Sequence, residues 1–193
     1  MERRETRNLT YTVKLPGSQK RLREMILYVS EKCRDAPRFG KTKLNKIMWR
    51  ADFQSYAARG VPVTGRAYQR LKAGPAPIEM APLLGDMADR QAISIEQLSL
   101  GEGFVEERIV PNLAADVSLF TDDDLRYVHE AIDYYWYRSA REASDDSHGI
   151  AWKTRKDGDP MPYETAYLSD EKLAGAVAQR ILRLAHLKGW KSR

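Results

Sequence analysis

A single cysteine, Cys33, in a chain of 193 residues excludes an internal disulfide and a thiolate metal site, and points to a reducing compartment. The sequence also lacks any apolar run near the roughly 18 residues that a membrane span requires. Its first residues, MERRETRNLT, carry charge where a signal peptide would carry an apolar core. The expectation is a cytoplasmic protein with no membrane partner.

The motifs of common enzyme classes are missing as well. There is no H-E-x-x-H, no G-x-x-x-x-G-K-[ST], no G-x-G-x-x-G and no G-x-S-x-G. The three histidines, His129, His148 and His186, are far apart in the chain. Ser147-His148 could suggest a nucleophile and base, but neighbours in sequence rarely acquire that geometry, and no orienting acid is marked. His186 falls in the last turn of its expected helix, where partial positive charge is favourable. Asp122, Asp123 and Asp124 read more simply as the acidic first turn of a helix than as metal ligands. The sequence therefore predicts a protein that is not an enzyme and needs no cofactor or metal.

What is present is an ordinary globular composition, 42% hydrophobic and 31% charged, with 32 basic against 27 acidic residues and a net charge of +5. Basic residues cluster at Arg3, Arg4 and Arg7, at Lys153, Arg155 and Lys156, and at Lys188, Lys191 and Arg193. Two of the three clusters are terminal, so solvated charge explains them better than a phosphate-binding surface does.

Leu22, Met25, Ile26, Val29 and Cys33 recur at helical spacing and predict a helix over 18–34, after an N-terminal arm of residues 1–17. A second helix is expected from Thr42, as N-cap, to Arg59, stopped by Gly60. Residues 61–74 are broken by Pro62, Gly65 and Gly74, with room only for short strands between. Pro77 suits the first turn of a third helix running to Arg90. Ile93–Leu100 and Phe104–Val110, joined by Gly101-Glu102-Gly103, read as a hairpin within 91–111. Thr121 opens a fourth helix extending to residue 143, residues 144–168 look irregular, and Ser169 caps a last helix bearing Leu173, Ala176, Val177, Ile181 and Leu184, so that helices dominate 121–188. The expected fold is one mainly α (α+β) domain over 1–193, a compact helical body with a small antiparallel β element.

Two of these helices are apolar or aromatic on opposite sides. Leu44, Ile47, Met48, Ala51 and Ser55 share one face of the second, with Trp49, Phe53 and Tyr56 nearly opposite. In the fourth, Tyr127, Tyr134 and Tyr137 oppose Leu125, Val128, Ile132 and Trp136. Either such helices are central and packed on both sides, or the second face meets a partner. Asp52 lies beside the aromatic sector, where a carboxylate requires a partner if it is buried. A hydrogen-bonding or cationic group is expected there, with His148 as the candidate; a solvated edge is the alternative.

Three segments together resemble the Panacea domain of SocA-like antitoxins and phage-associated proteins. Thr42 to Phe53 is similar to the family's K-L-x-K-hydrophobic-x-Y-x-A-D helix, with Trp49 near the family's tyrosine. Pro62-Val63-Thr64-Gly65, Tyr68 and Gly74-Pro75-Ala76-Pro77 are similar to its I-T-G…Y…Y-G-P-V-P stretch, with Lys72-Ala73 replacing Pro-Tyr. Ser144, Ser147-His148, Trp152 and Met161-Pro162-Tyr163 are similar to its S-x-x-S-H…W…I-P-Y ending. The resemblance implies an antitoxin that neutralises a cognate protein toxin by direct binding, in some members as an adaptor to a protease. The positions it singles out for partner binding are Trp49, Asp52, Tyr56, Gly74, Pro75, Pro77, His148 and Trp152; it carries over no catalytic residue. Gly74 to Pro77 also suits a rigid turn with no partner. The absence of an appended helix-turn-helix disfavours nucleic acid as a partner. A phage regulatory or nucleic-acid-binding protein is the first alternative. An enzyme assembling Asp52, Tyr56, Ser147 and His148 in one cleft is the second.

Overall fold

The computed structural model describes residues 9–99, 101, 105–168 and 183. Helix α1 (Gln19–Lys32) forms where the apolar period predicts, and Leu22, Met25, Ile26 and Val29 are buried. Helix α2 (Lys41–Arg59) ends at Gly60 in the left-handed conformation that glycine adopts without steric cost. Its N-cap is Gly40, not Thr42; the extended backbone of Gly40 supplies the entry with no side-chain bond.

The Gly/Pro-rich stretch yields strands β1 (Tyr68–Leu71) and β2 (Gly74–Pro77), an antiparallel pair with Tyr68 opposite Pro77 and Leu71 opposite Gly74. Pro77 therefore closes a strand and does not begin a helix. Helix α3 (Met80–Asp89) starts three residues later. Prolines are tolerated in β2 because it is an edge strand.

Strands β3 (Ile93–Ser99) and β4 (Val105–Pro111) form the expected hairpin, paired from Ile93–Pro111 to Ser99–Val105. Helix α4 (Asp122–Tyr135) has a full capping box between Thr121 and Asp124. The helix expected to reach residue 143 is two: Ser139 makes a second capping box with Glu142 and starts α5 (Ala140–Asp146). The stretch expected to be irregular also contains α6 (Ile150–Lys153), strand β5 (Pro160–Met161) and a 3₁₀ turn, Tyr163–Tyr167. Strand β5 pairs with β1, giving the sheet order β2-β1-β5. The helix expected after Ser169 lies outside the described residues. The fold is mainly helical α+β with two small antiparallel sheets. No described helix is long and apolar enough to cross a membrane.

Helix α2 separates two apolar clusters. Leu44, Ile47, Met48 and Ala51 face the large core shared with α1, α3 and α4. Phe53 enters a second cluster with Tyr68, Met161 and Tyr163, against which Trp49 and Tyr56 pack. The two-sided pattern of α2 thus marks a central helix. In α4 the pattern has another cause: Tyr127 is buried in the large core, whereas Tyr137 lies beyond the helix end and is 79% exposed.

Candidate functional site

The strand side of α2 gathers most of the residues singled out in the sequence. Asp52 is fully buried one turn before Tyr56. It accepts hydrogen bonds from the Thr64 backbone N–H at 2.6 Å, the Thr64 hydroxyl, and the Tyr68 hydroxyl at 2.8 Å. Burial pushes its pKa up to about 6, against the opposing pull of those donors. The partner required by burial is present, and the solvated-edge alternative is excluded. His148 is not that partner, because it follows α5 on another wall and stacks on Trp152 with ring centres 3.7 Å apart.

Lysines 43 and 46 are also buried, in a helix face that is otherwise apolar. Lys43 Nζ donates to the carbonyls of Pro37 at 2.7 Å and Trp136 at 3.1 Å. Lys46 Nζ donates to the Pro75 carbonyl at 2.9 Å, and burial lowers its pKa to about 7. Neither was picked out as a site residue; the signal was available in the K-L-x-K spacing, which places two lysines one turn apart.

Gly74 sits where these parts meet, with φ +97°, a region that side chains rarely adopt. A Cβ there would lie 2.1 Å from Ser147 Oγ and 2.7 Å from Lys46 Cε. Gly74, Pro75 and Pro77 are all buried.

The remaining candidates fix the same backbone from outside. Trp152 Nε1 donates to the Leu71 carbonyl at 2.8 Å, and the Arg70 guanidinium lies 3.9 Å from its ring centre. Ser144 Oγ donates to the Ala73 carbonyl at 3.1 Å, and Tyr163 donates to the Arg66 carbonyl at 2.7 Å. Tyr56 stacks on Tyr163 and donates to Glu164 at 3.2 Å. Ser147 is buried and donates to the Ser144 carbonyl at 2.7 Å. Asp52 bonds Thr64 and Tyr68, Tyr56 bonds Glu164, and Ser147 and His148 both bond Ser144, at its carbonyl and its hydroxyl; among the described residues no hydrogen bond joins Asp52 or Tyr56 to that pair.

Beside this scaffold runs an open groove of about 700 Å³ between α2, α6 and the 3₁₀ turn, with Trp49 and Arg50 on one wall. Two buried donors there, Trp49 Nε1 and Arg50 Nε, have no hydrogen-bond partner among the described residues. No cluster of three or more His, Cys, Asp or Glu able to hold a metal ion occurs among the described residues.

A family model described as "Antitoxin SocA-like, Panacea domain" matches residues 44–153. That span covers more than half of the chain and runs from α2 through α6. No curated protein matched the chain, and no solved structure did.

Proposed function

The chain belongs to the Panacea-domain family of SocA-like antitoxins, and from that premise we propose that it neutralises a cognate protein toxin by direct binding, without a catalytic step of its own. The observation that carries this reading is the fate of the polar motif residues. Asp52, Lys46, Ser144, Trp152 and Tyr163 are committed to internal hydrogen bonds that tie β1, β2 and their flanking turns to α2, α5, α6 and the 3₁₀ turn. A catalytic constellation would instead aim such groups at a common point. The same clamping presents a half-buried Trp49 and Arg50 beside an open groove, and these residue types dominate binding hot spots. Occlusion of the toxin requires a specific interface, of roughly 1,200–2,000 Å² in total. An adaptor role towards a protease would use a second surface.

Co-expression with a toxic reading frame encoded beside this one tests the proposal. Growth should be restored and the two proteins should co-purify, with shallow salt dependence. Failure of both rescue and co-purification would end the antitoxin reading. Steep weakening with salt would instead favour a nucleic-acid partner.

A further inference from the structure

The starts of α2 and α5 and the outer half of the β3–β4 hairpin border an open groove of about 1030 Å³, apart from the one beside Trp49. Gly40 lets β4 come this close to α2: a Cβ there would lie 2.9 Å from Glu106 Cγ. Buried Lys43 fixes the other end. It bonds the carbonyls of Pro37 and Trp136, and so holds the turn before α2 against the turn before α5. Arg38, Lys41 and Arg141 thereby line one groove.

These three cations are open to solvent and weakly engaged. Arg38 is exposed, forms no ion pair among the described residues, and acts on Glu142 only through space. The Arg141 side chain is 92% exposed, with Asp145 4.0 Å away. Lys41 lies 3.6 Å from Glu107, and both side chains are near half exposed. The other acids here are committed: Glu106 is buried against Arg108 at 3.1 Å, and Glu142 accepts from the Ser139 amide and hydroxyl. Helix α2 adds partial positive charge, since no side chain caps its start and its first turn holds no acid. The uncharged lining includes Thr42, Gln97 and Val105, the last 58% exposed.

We infer that this groove receives an extended acidic segment of the toxin, its Asp or Glu carboxylates meeting Arg38, Lys41 and Arg141 while an aliphatic side chain covers Val105. The inference rests on the antitoxin reading and adds a charged contact to it. Charge complementarity selects the occupant, because a carboxylate satisfies a guanidinium more strongly than a neutral acceptor does. Glu107 decides between anionic chains: separate carboxylates can reach the cations and leave that acid alone, whereas a phosphate backbone, charged at every residue, would run past it. Three such contacts also keep the salt dependence of the complex shallow, beside the roughly six to ten phosphate contacts that make nucleic-acid binding steep.

The test uses the full chain labelled with ¹⁵N and the peptide Ac-Ala-Asp-Leu-Glu-Val-Asp-Ala-NH2, with Ac-Ala-Asn-Leu-Gln-Val-Asn-Ala-NH2 as control. The backbone amide resonances of Lys41, Thr42 and Arg141 should shift saturably with the acidic peptide, and the control should bind about tenfold more weakly. The double variant Arg38→Glu/Arg141→Glu changes two exposed side chains, so it should keep the wild-type melting curve and lose the shifts. Lys14→Glu/Lys72→Glu carries the same net charge at exposed positions outside the groove and should retain them. No shift at millimolar peptide, equal binding of both peptides, or equal loss in both double variants overturns the inference. A short DNA duplex that shifts the same amides at lower concentration than the acidic peptide also overturns it, in favour of a phosphate backbone. Growth supplies the second arm. If the wild-type chain and Lys14→Glu/Lys72→Glu rescue and Arg38→Glu/Arg141→Glu does not, the groove is a toxin site. If all three rescue, the groove assignment falls and the antitoxin reading stands. If the wild-type chain fails to rescue, the antitoxin reading falls and the peptide arm alone decides whether the groove takes an acidic chain.

Discussion

Two of the buried carboxylates, Asp124 and Asp52, lie on opposite sides of α2, and their surroundings treat them in opposite ways. Asp124, at the start of α4, accepts from Arg21 at 2.8 Å and from Arg59 at 2.5 Å while closing the α4 capping box. Burial pushes its pKa up, but Arg59, the Thr121 amide and Arg21 outweigh that and hold it below the usual carboxylate range. Asp52, on the strand side, has only neutral donors, and burial wins. Asp124 is thus locked by opposite charges. Asp52, like Lys43 and Lys46, is a single charge bonded to neutral groups, so these bonds hold geometry without compensating charge.

The sharpest way to break the comparison is to remove each acid. Asp124→Ala removes the counter-charge of the buried Arg21 and the half-buried Arg59 and should cost about 3–5 kcal/mol, read as a fall in the urea midpoint. Asp52→Ala leaves only the neutral Thr64 and Tyr68 donors unsatisfied and should cost about 1–3 kcal/mol. Equal losses would mean that the two sites do not differ as their partners imply. Asp52→Asn sharpens the contrast through pH. The raised pKa of Asp52 means that the folded state holds its proton more tightly than the unfolded chain does. Its stabilising contribution is complete below the ordinary carboxyl value of 3.8 and is lost as pH rises through about 6. Asn cannot titrate, so the stability difference between wild type and variant should drift across that window. A constant difference would place the titration elsewhere.

The comparison also shows what could be read from the residues alone. The capping box at Thr121, the glycine stop at Gly60 and the two-sided face of α2 are local or periodic signals, and each located its element. The end of α4 could not be read that way. Tyr134 to Ser139 continues a helical apolar pattern, and the break depends on the competing capping box at Ser139. Pro77 fails for a related reason: proline suits both a first helical turn and an edge strand, and only pairing with Tyr68 decides between them. The need of Asp52 for a partner followed from burial cost, but the partner's identity depended on how β1 lies across α2. His148 and Tyr68 are equally plausible until that crossing is known. Lysines 43 and 46 were hidden by the habit of placing lysine at the surface. Each is instead an anchor for carbonyls at chain turns, a role for which sequence spacing gives only a faint cue.

Lys46 offers the finest probe of the strand side, because its amine meets a carbonyl and no acid. The sign follows from its lowered pKa. Below about 7 both folded and unfolded states bind the proton, and the fold carries the full cost of a buried cation. Between about 7 and the ordinary lysine value of 10.5 only the unfolded chain is protonated, so stability rises with pH across that interval. The rise is at most about 1.4 kcal/mol per pH unit. Measurements from about pH 7 to about pH 8.5 capture it before Cys33, whose thiol burial pushes up to about 12, adds an opposite trend. Lys46→Met keeps the length and apolar bulk of the side chain and leaves the Pro75 carbonyl unbonded, which is an offset independent of pH. The urea midpoint of wild type should therefore climb relative to that of Lys46→Met over the interval. Parallel curves would show that the amine stays charged inside the fold, and that a carbonyl with nearby dipoles compensates a buried cation on this side as fully as the paired charges do on the other.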